Sequence, residues 1–145
     1  MKAGAVFVDN SSAFRLDPDV PLVIPQINPQ DIRTHQGIIA NPNCATIIAL
    51  MAVAPIYRLS RITRMIVSTY QAVSGAGAAG LAELKRQIAQ LEAGQPVSAE
   101  TFPVQIAYNL IPQIGGFDEQ GYSSEEMKLQ NEGRKILHDP ALRVS

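Results

Sequence analysis

The 145-residue chain holds a single cysteine, Cys44, and so can close no internal disulfide. A reducing cytoplasm is its simplest home. A structural zinc site is equally hard to build, because there is no second thiol and neither His35 nor His138 stands at ligand spacing from another donor. Charge of one sign is also missing. Twelve Lys and Arg face thirteen Asp and Glu, a formal net charge of -1, and no basic block occurs. That balance gives no electrostatic pull toward nucleic acid or an anionic membrane. The longest apolar stretch, Ala45 to Ile56, is too short to cross a bilayer and contains Pro55. Met1-Lys2-Ala3-Gly4 lacks the apolar centre of a secretion signal. Internal repeats and low-complexity tracts are absent as well.

What is present reads as an ordinary globular chain, 46% hydrophobic and 17% charged, long enough to bury a core. Ala5 to Val8 has the pattern of a short buried strand, ended by Asp9-Asn10-Ser11-Ser12. Prolines at 18, 21, 25 and 29 break up the next stretch, with Leu22-Val23-Ile24 as a brief strand inside it. Gly37 to Ala40 is another short apolar run. From Cys44 the sequence is almost continuously apolar up to Pro55, which is too long for a buried strand and predicts a buried helix capped by Asn43. Ile62 to Val73 has the β-branched and aromatic content of a longer strand. After the small-residue loop at 74–80, Leu81, Leu84, Ile88 and Leu91 line one face of a helix closed by Gly94. Ile106 to Ile111 is a further candidate strand. Ser123 and Glu126 make a capping-box pattern that opens a last helix, expected to end near His138. This order of elements implies an α/β to α+β fold.

Cys44 is the natural nucleophile of the chain. At a helix start it would lie among unpaired amides and partial positive charge, which favour a thiolate over a thiol. The same amides could hold the oxyanion of a tetrahedral intermediate. The plainer reading is that a free cysteine is a small buried hydrophobe. Position alone does not choose between them.

The surrounding words do. Asn41-Pro42-Asn43-Cys44-Ala45-Thr46 resembles the active-site segment of the aspartate-semialdehyde dehydrogenases, in which the cysteine attacks an acyl phosphate or aldehyde. Asp9-Asn10-Ser11-Ser12-Ala13-Phe14-Arg15 is similar to that family's phosphate-site segment. Thr69-Tyr70-Gln71-Ala72-Val73-Ser74-Gly75-Ala76-Gly77 resembles the stretch after its nucleophile. Tyr108-Asn109-Leu110-Ile111-Pro112 and Glu125-Glu126-Met127-Lys128 complete the series in the family's order. The likeness covers nearly the whole chain.

The resemblance implies NADPH-dependent reduction of L-aspartyl 4-phosphate to the semialdehyde, on the way to lysine, threonine and methionine. It assigns Cys44 as nucleophile and Gln71 as the amide that orients substrate near the thiol. Arg15 and Lys128 become phosphate-binding cations, Glu125 the partner of the substrate amino group, and Ser74 and Gly75 the contacts to the cofactor. Read without it, Arg15 is a surface arginine and Glu125 with Lys128 an exposed helix pair. Thr46 and Asn43 read as helix-start residues rather than as chemistry.

Two family parts have no counterpart here. No Gly-x-x-Gly-x-x-Gly turn follows a strand, and the family's carboxylate-binding arginine and acid/base histidine are expected beyond Ser145. Glutamate, common in the family at the position of Gln26, is also replaced. The chain is therefore expected to be an internal piece: residues 1–43 the end of a Rossmann-type nucleotide-binding domain, and 44–145 part of the mixed-sheet catalytic and dimerisation domain. Such a piece is expected to be inactive alone and to self-associate, as a homodimer or larger. The competing readings are an N-acetyl-glutamyl-phosphate reductase, which uses the same cysteine chemistry, and a catalytically silent dimerisation or partner-binding module.

Overall fold

Short strands and three longer helices make up the regular structure of the computed structural model, which describes residues 4–145. The reading of Met1 to Ala3 lies outside the described residues. Strand β1 (Phe7–Asp9) pairs in parallel with β2 (Ile38–Ala40), Phe7 opposite Ile38 and Asp9 opposite Ala40. Helix α1 (Cys44–Leu59) leaves β2 through Asn41-Pro42-Asn43. Strand β3 (Arg64–Met65), helix α2 (Gly77–Glu92), helix α3 (Ser124–Ile136) and strand β4 (Arg143–Val144) follow, and β3 pairs in parallel with β4. Helices mixed with small parallel sheets match the expected α/β to α+β class.

By contacts the chain forms two compact units. The first runs to Val67 and resumes over Gly115–Ser145; the second is Ser68–Ile114. The first unit owns the core: Leu22, Ile24, Ala40, Leu50, Met65, Leu129, Ile136, Leu142 and Val144 are buried together. Leu50 of α1 and Ile136 of α3 are essentially inaccessible to solvent, and full burial of such a side chain contributes about 1.5–3 kcal/mol. In the second unit a 3-10 turn (Val73–Ala76) leads into α2. Gly80 lets that turn close on the helix: a Cβ there would meet the Val73 carbonyl oxygen at 2.5 Å and the Phe102 ring at 3.2 Å.

The helices follow the sequence reading more closely than the strands. The capping box of α3 is fully formed, with Ser123 Oγ accepting from the Glu126 amide and Glu126 returning a carboxylate to the Ser123 amide. Helix α1 departs from expectation at its far end. Instead of stopping at Pro55, it continues to Leu59. An internal proline forfeits one backbone hydrogen bond. Packing of Leu50 and Ala54 before it, and the grips of Tyr57 on Asp139 and Arg58 on the Gln26 carbonyl after it, hold the helix together. The strand expected over Ile62 to Val73 shrinks to Arg64–Met65, plus one further bond from the Val67 amide to the Ser145 carbonyl. Ile106 to Ile111 forms no strand; it turns, with the Asn109 amide on the Ile106 carbonyl and Tyr108 at φ 56. Leu22-Val23-Ile24 contributes a single bridge, from Leu22 to Ala40.

Candidate active site

The site is built at the junction of β2 and α1. Asn43 is the N-cap of α1, extended at φ -60 and ψ 146, and its Oδ1 accepts from the amides of Ala45 at 2.8 Å and Thr46 at 3.4 Å. Cys44 is therefore the first residue of the helix, and its side chain is exposed. The plainer expectation for a free cysteine, burial among hydrocarbon, does not describe it.

Helix α3 grips the same corner twice. Glu125 Oε1 accepts from Asn43 Nδ2 at 2.8 Å, which turns the Asn43 oxygen toward the α1 amides. Glu132 Oε2 accepts from the Asn43 backbone N–H at 2.7 Å. Lys128, one turn from Glu125, donates to Glu125 Oε2 at 2.9 Å and keeps 39% of its side chain exposed.

Arg15 comes in from the loop after β1 and is 10% exposed. It donates from Nε to the Asn41 carbonyl at 2.9 Å, from Nη1 to Glu132 Oε1 at 3.2 Å, and from Nη2 to the Asn10 carbonyl at 3.2 Å. A guanidinium has five N–H donors, so these three bonds leave two uncommitted. The loop that presents Arg15 is itself pinned from below. Lys135 Nζ donates to the carbonyls of Arg15, Asp17 and Val20 at 2.9, 2.6 and 2.8 Å, and burial pulls its pKa below the ordinary lysine value. Arg15 and Lys128 both line one cavity of about 360 Å³, with Ser12, Ser124, Asn131 and Glu132 among its other walls.

Comparison with known proteins decides the family. Residues 53–145 match the semialdehyde dehydrogenase dimerisation domain, and residues 1–35 the NAD binding domain of the same family. The chain belongs to the semialdehyde dehydrogenase family. Within it, the chain is 52% identical to the aspartate-semialdehyde dehydrogenase of Aquifex aeolicus over 99% of its own length and 43% of that protein's. It is 47% identical to the Bacillus subtilis aspartate-semialdehyde dehydrogenase, covering 44% of that protein. Aspartate semialdehyde dehydrogenase II of Vibrio cholerae, solved in complex with ASA, superposes with a TM-score of 0.95 at 50% identity, over 99% of this chain and 44% of that one. The chain thus spans less than half the length of the curated relatives it matches.

Among semialdehyde dehydrogenase positions, Gln71, Ser74 and Gly75 fall in the second unit. All three are exposed, and the Gln71 side chain lies on Gly75. A Cβ at Gly75 would stand 2.1 Å from Gln71 Nε2, so glycine is what lets the amide fold over the turn. The turn is made of small, exposed residues, and Ser74 adds a hydroxyl there. The two histidines are engaged elsewhere: His35 Nδ1 accepts from the Gly37 amide and His138 pairs with Asp31 at 2.9 Å. Glu132 is the residue that sequence reasoning missed. The available signal was its spacing: seven residues after Glu125, on a helix, it shares the face that carries Glu125 and Lys128.

Proposed function

We propose that this chain carries the nucleophile and anion pocket of an aspartate-semialdehyde dehydrogenase, which reduces L-aspartyl 4-phosphate to L-aspartate 4-semialdehyde through a Cys44 thioester. One observation carries the reading. An exposed Cys44 opens a capped helix, and that cap is held by Glu125, whose partner Lys128 lines one cavity with Arg15.

Cys44 sulfur attacks the acyl carbon, the carbon–oxygen bond to phosphate breaks, and phosphate leaves toward Arg15 and Lys128. Arg15 offers its two uncommitted N–H groups, and Lys128 a mobile point charge. Glu125 takes the substrate ammonium, and Gln71 orients the substrate without adding a charge. A nicotinamide cofactor, read here as NADPH against Ser74 and Gly75, supplies hydride to the thioester when bound. Return of the electron pair to sulfur then frees the semialdehyde. We read residues 1–43 as the end of the nucleotide-binding domain and 44–145 as part of the catalytic and dimerisation domain; the family matches cover 1–35 and 53–145, on either side of that boundary. A cytoplasmic homodimer is the corresponding whole.

The test is Cys44→Ala in a full-length polypeptide carrying this segment. Phosphate-dependent oxidation of aspartate semialdehyde should fall by about 10⁴-fold or more. Unchanged activity would remove the reading. Faster turnover of the N-acetyl-glutamyl semialdehyde would transfer the chemistry to the related reductase.

A further inference from the structure

Glu132 is 2% exposed and sits in the interior of the first unit, yet both of its oxygens are spent on groups that frame the site. Oε1 takes the Arg15 guanidinium, and Oε2 takes the amide immediately before Cys44. Arg15 in turn holds the Asn41 carbonyl. The three groups close a ring around the buried Pro42: Arg15 to Asn41, along the chain to Asn43, to Glu132, and back to Arg15. A buried carboxylate is retained only where charge-assisted bonds satisfy it. Here the two partners are a cation assigned to phosphate and the start of the helix that bears the nucleophile.

We propose that Glu132 is a positioning residue of this site, a single carboxylate that fixes the distance between the anion-binding guanidinium and the sulfur. The proposal rests on the reading of Cys44 and Arg15 given above. It differs from a role in folding alone. A carboxylate that served only to hold α3 against the start of α1 would have no reason to share one of its oxygens with Arg15, and its loss would lower stability without separating phosphate affinity from turnover. A carboxylate that sets the pocket must change both. Glu132→Gln keeps the shape and can still accept from the Asn43 amide, but presents an amide to a guanidinium that then lacks its counter-charge. Arg15 keeps its bonds to the Asn41 and Asn10 carbonyls but loses the restraint on Nη1, and with it the fixed position of the leaving phosphate relative to Cys44. Glu132→Asp keeps the charge but is one methylene short of spanning both partners.

The experiment measures kcat and the KM for inorganic phosphate during oxidation of aspartate semialdehyde by a full-length polypeptide carrying this segment. For Glu132→Gln we expect the phosphate KM to rise about 10-fold, as befits loss of a charge-assisted bond, and kcat to fall about 10- to 100-fold through misplacement. Glu132→Asp should show the same split in smaller measure. In an Arg15→Ala background, Glu132→Gln should move the phosphate KM by less than about twofold, because the group it acts through is gone. If the unsubstituted polypeptide oxidises the semialdehyde but Glu132→Gln leaves both constants within about twofold, this proposal falls and the functional reading stands. An undiminished effect in the Arg15→Ala background would overturn it equally. Loss of the cooperative melt in both variants would make Glu132 a residue of the fold and end the proposal. Absence of phosphate-dependent oxidation in the unsubstituted polypeptide would instead strike the functional reading itself.

Discussion

At the scale of single residues, Asn43 carries more of the site than its neighbours. Its oxygen caps two amides of α1, its Nδ2 is committed to Glu125, and its own N–H to Glu132. Asp and Asn are ordinarily equivalent N-caps; here they are not. Asn43→Asp would keep the capping oxygen but set a second carboxylate at hydrogen-bond distance from Glu125, and like charges so placed repel. Asn43→Ala loses only the cap and the Glu125 bond, at about 1–2 kcal/mol. Asn43→Asp should therefore be the more damaging of the two in urea unfolding at neutral pH, and salt should narrow the gap. An Asn43→Asp variant as stable as the parent would show that Glu125 does not hold the cap. The helix start at Asn43 was legible in the sequence because capping is a local code. The spacing of Glu132 placed it on the face of Glu125 and Lys128 but did not reveal its role, because its partners lie 89 and 117 positions away along the chain, and no local pattern records that distance.

The same division runs through the secondary-structure elements. Helices α1, α2 and α3 announce themselves through periodicity and caps, which act within a few residues. Strands depend on a partner. Ile66 is 77% exposed and Tyr70 85%, so the β-branched and aromatic residues read as a strand have, among the described residues, no ladder to join. Where a loop replaces an expected strand, α2 organises it instead. Buried Gln87 takes the amides of Ile106 and Ala107 on its oxygen, and buried Glu83 takes those of Glu100 and Thr101. Burial by itself would raise the pKa of Glu83. The bonds from Thr101, Glu100 and Phe102 outweigh it and bring the value down to about 2 from 4.5. A carboxylate whose folded pKa is depressed stabilises the fold fully above its unfolded value, and that contribution is lost as pH falls through the window from 4.5 to about 2. Hydrogen exchange at the Glu100 and Thr101 amides should therefore accelerate across that window, beyond the intrinsic pH dependence of exchange. Glu83→Gln should be fast already at neutral pH and lack the acid step. A step that survives in Glu83→Gln would assign it to another group.

For the whole molecule, the decisive quantity is apolar surface without cover. Val6, just before β1, and Phe7 and Val8 within it are 48%, 49% and 65% exposed, and Leu59 is 90% exposed. Leu22 bridges Ala40 on the far side of β2 and the Val144 amide donates to Gln130 Oε1, but no strand pairs with the outer edge of β1 among the described residues, and such an edge can pair with another chain. A two-stranded unit is marginal in water by itself, and the chain covers less than half of the relatives in which the same elements occur. Membership of a family whose matched region is a dimerisation domain points the same way. The chain should therefore run in light scattering at a mass above its 15.7 kDa. Val8→Lys places a charge on the exposed edge of β1, a device that discourages strand addition, and should shift the population toward the monomer without altering α1 or α3. A parent chain that is monodisperse at the monomer mass would overturn this prediction. In that case the open strands would have to be satisfied by water, at odds with the apolar side chains that line them.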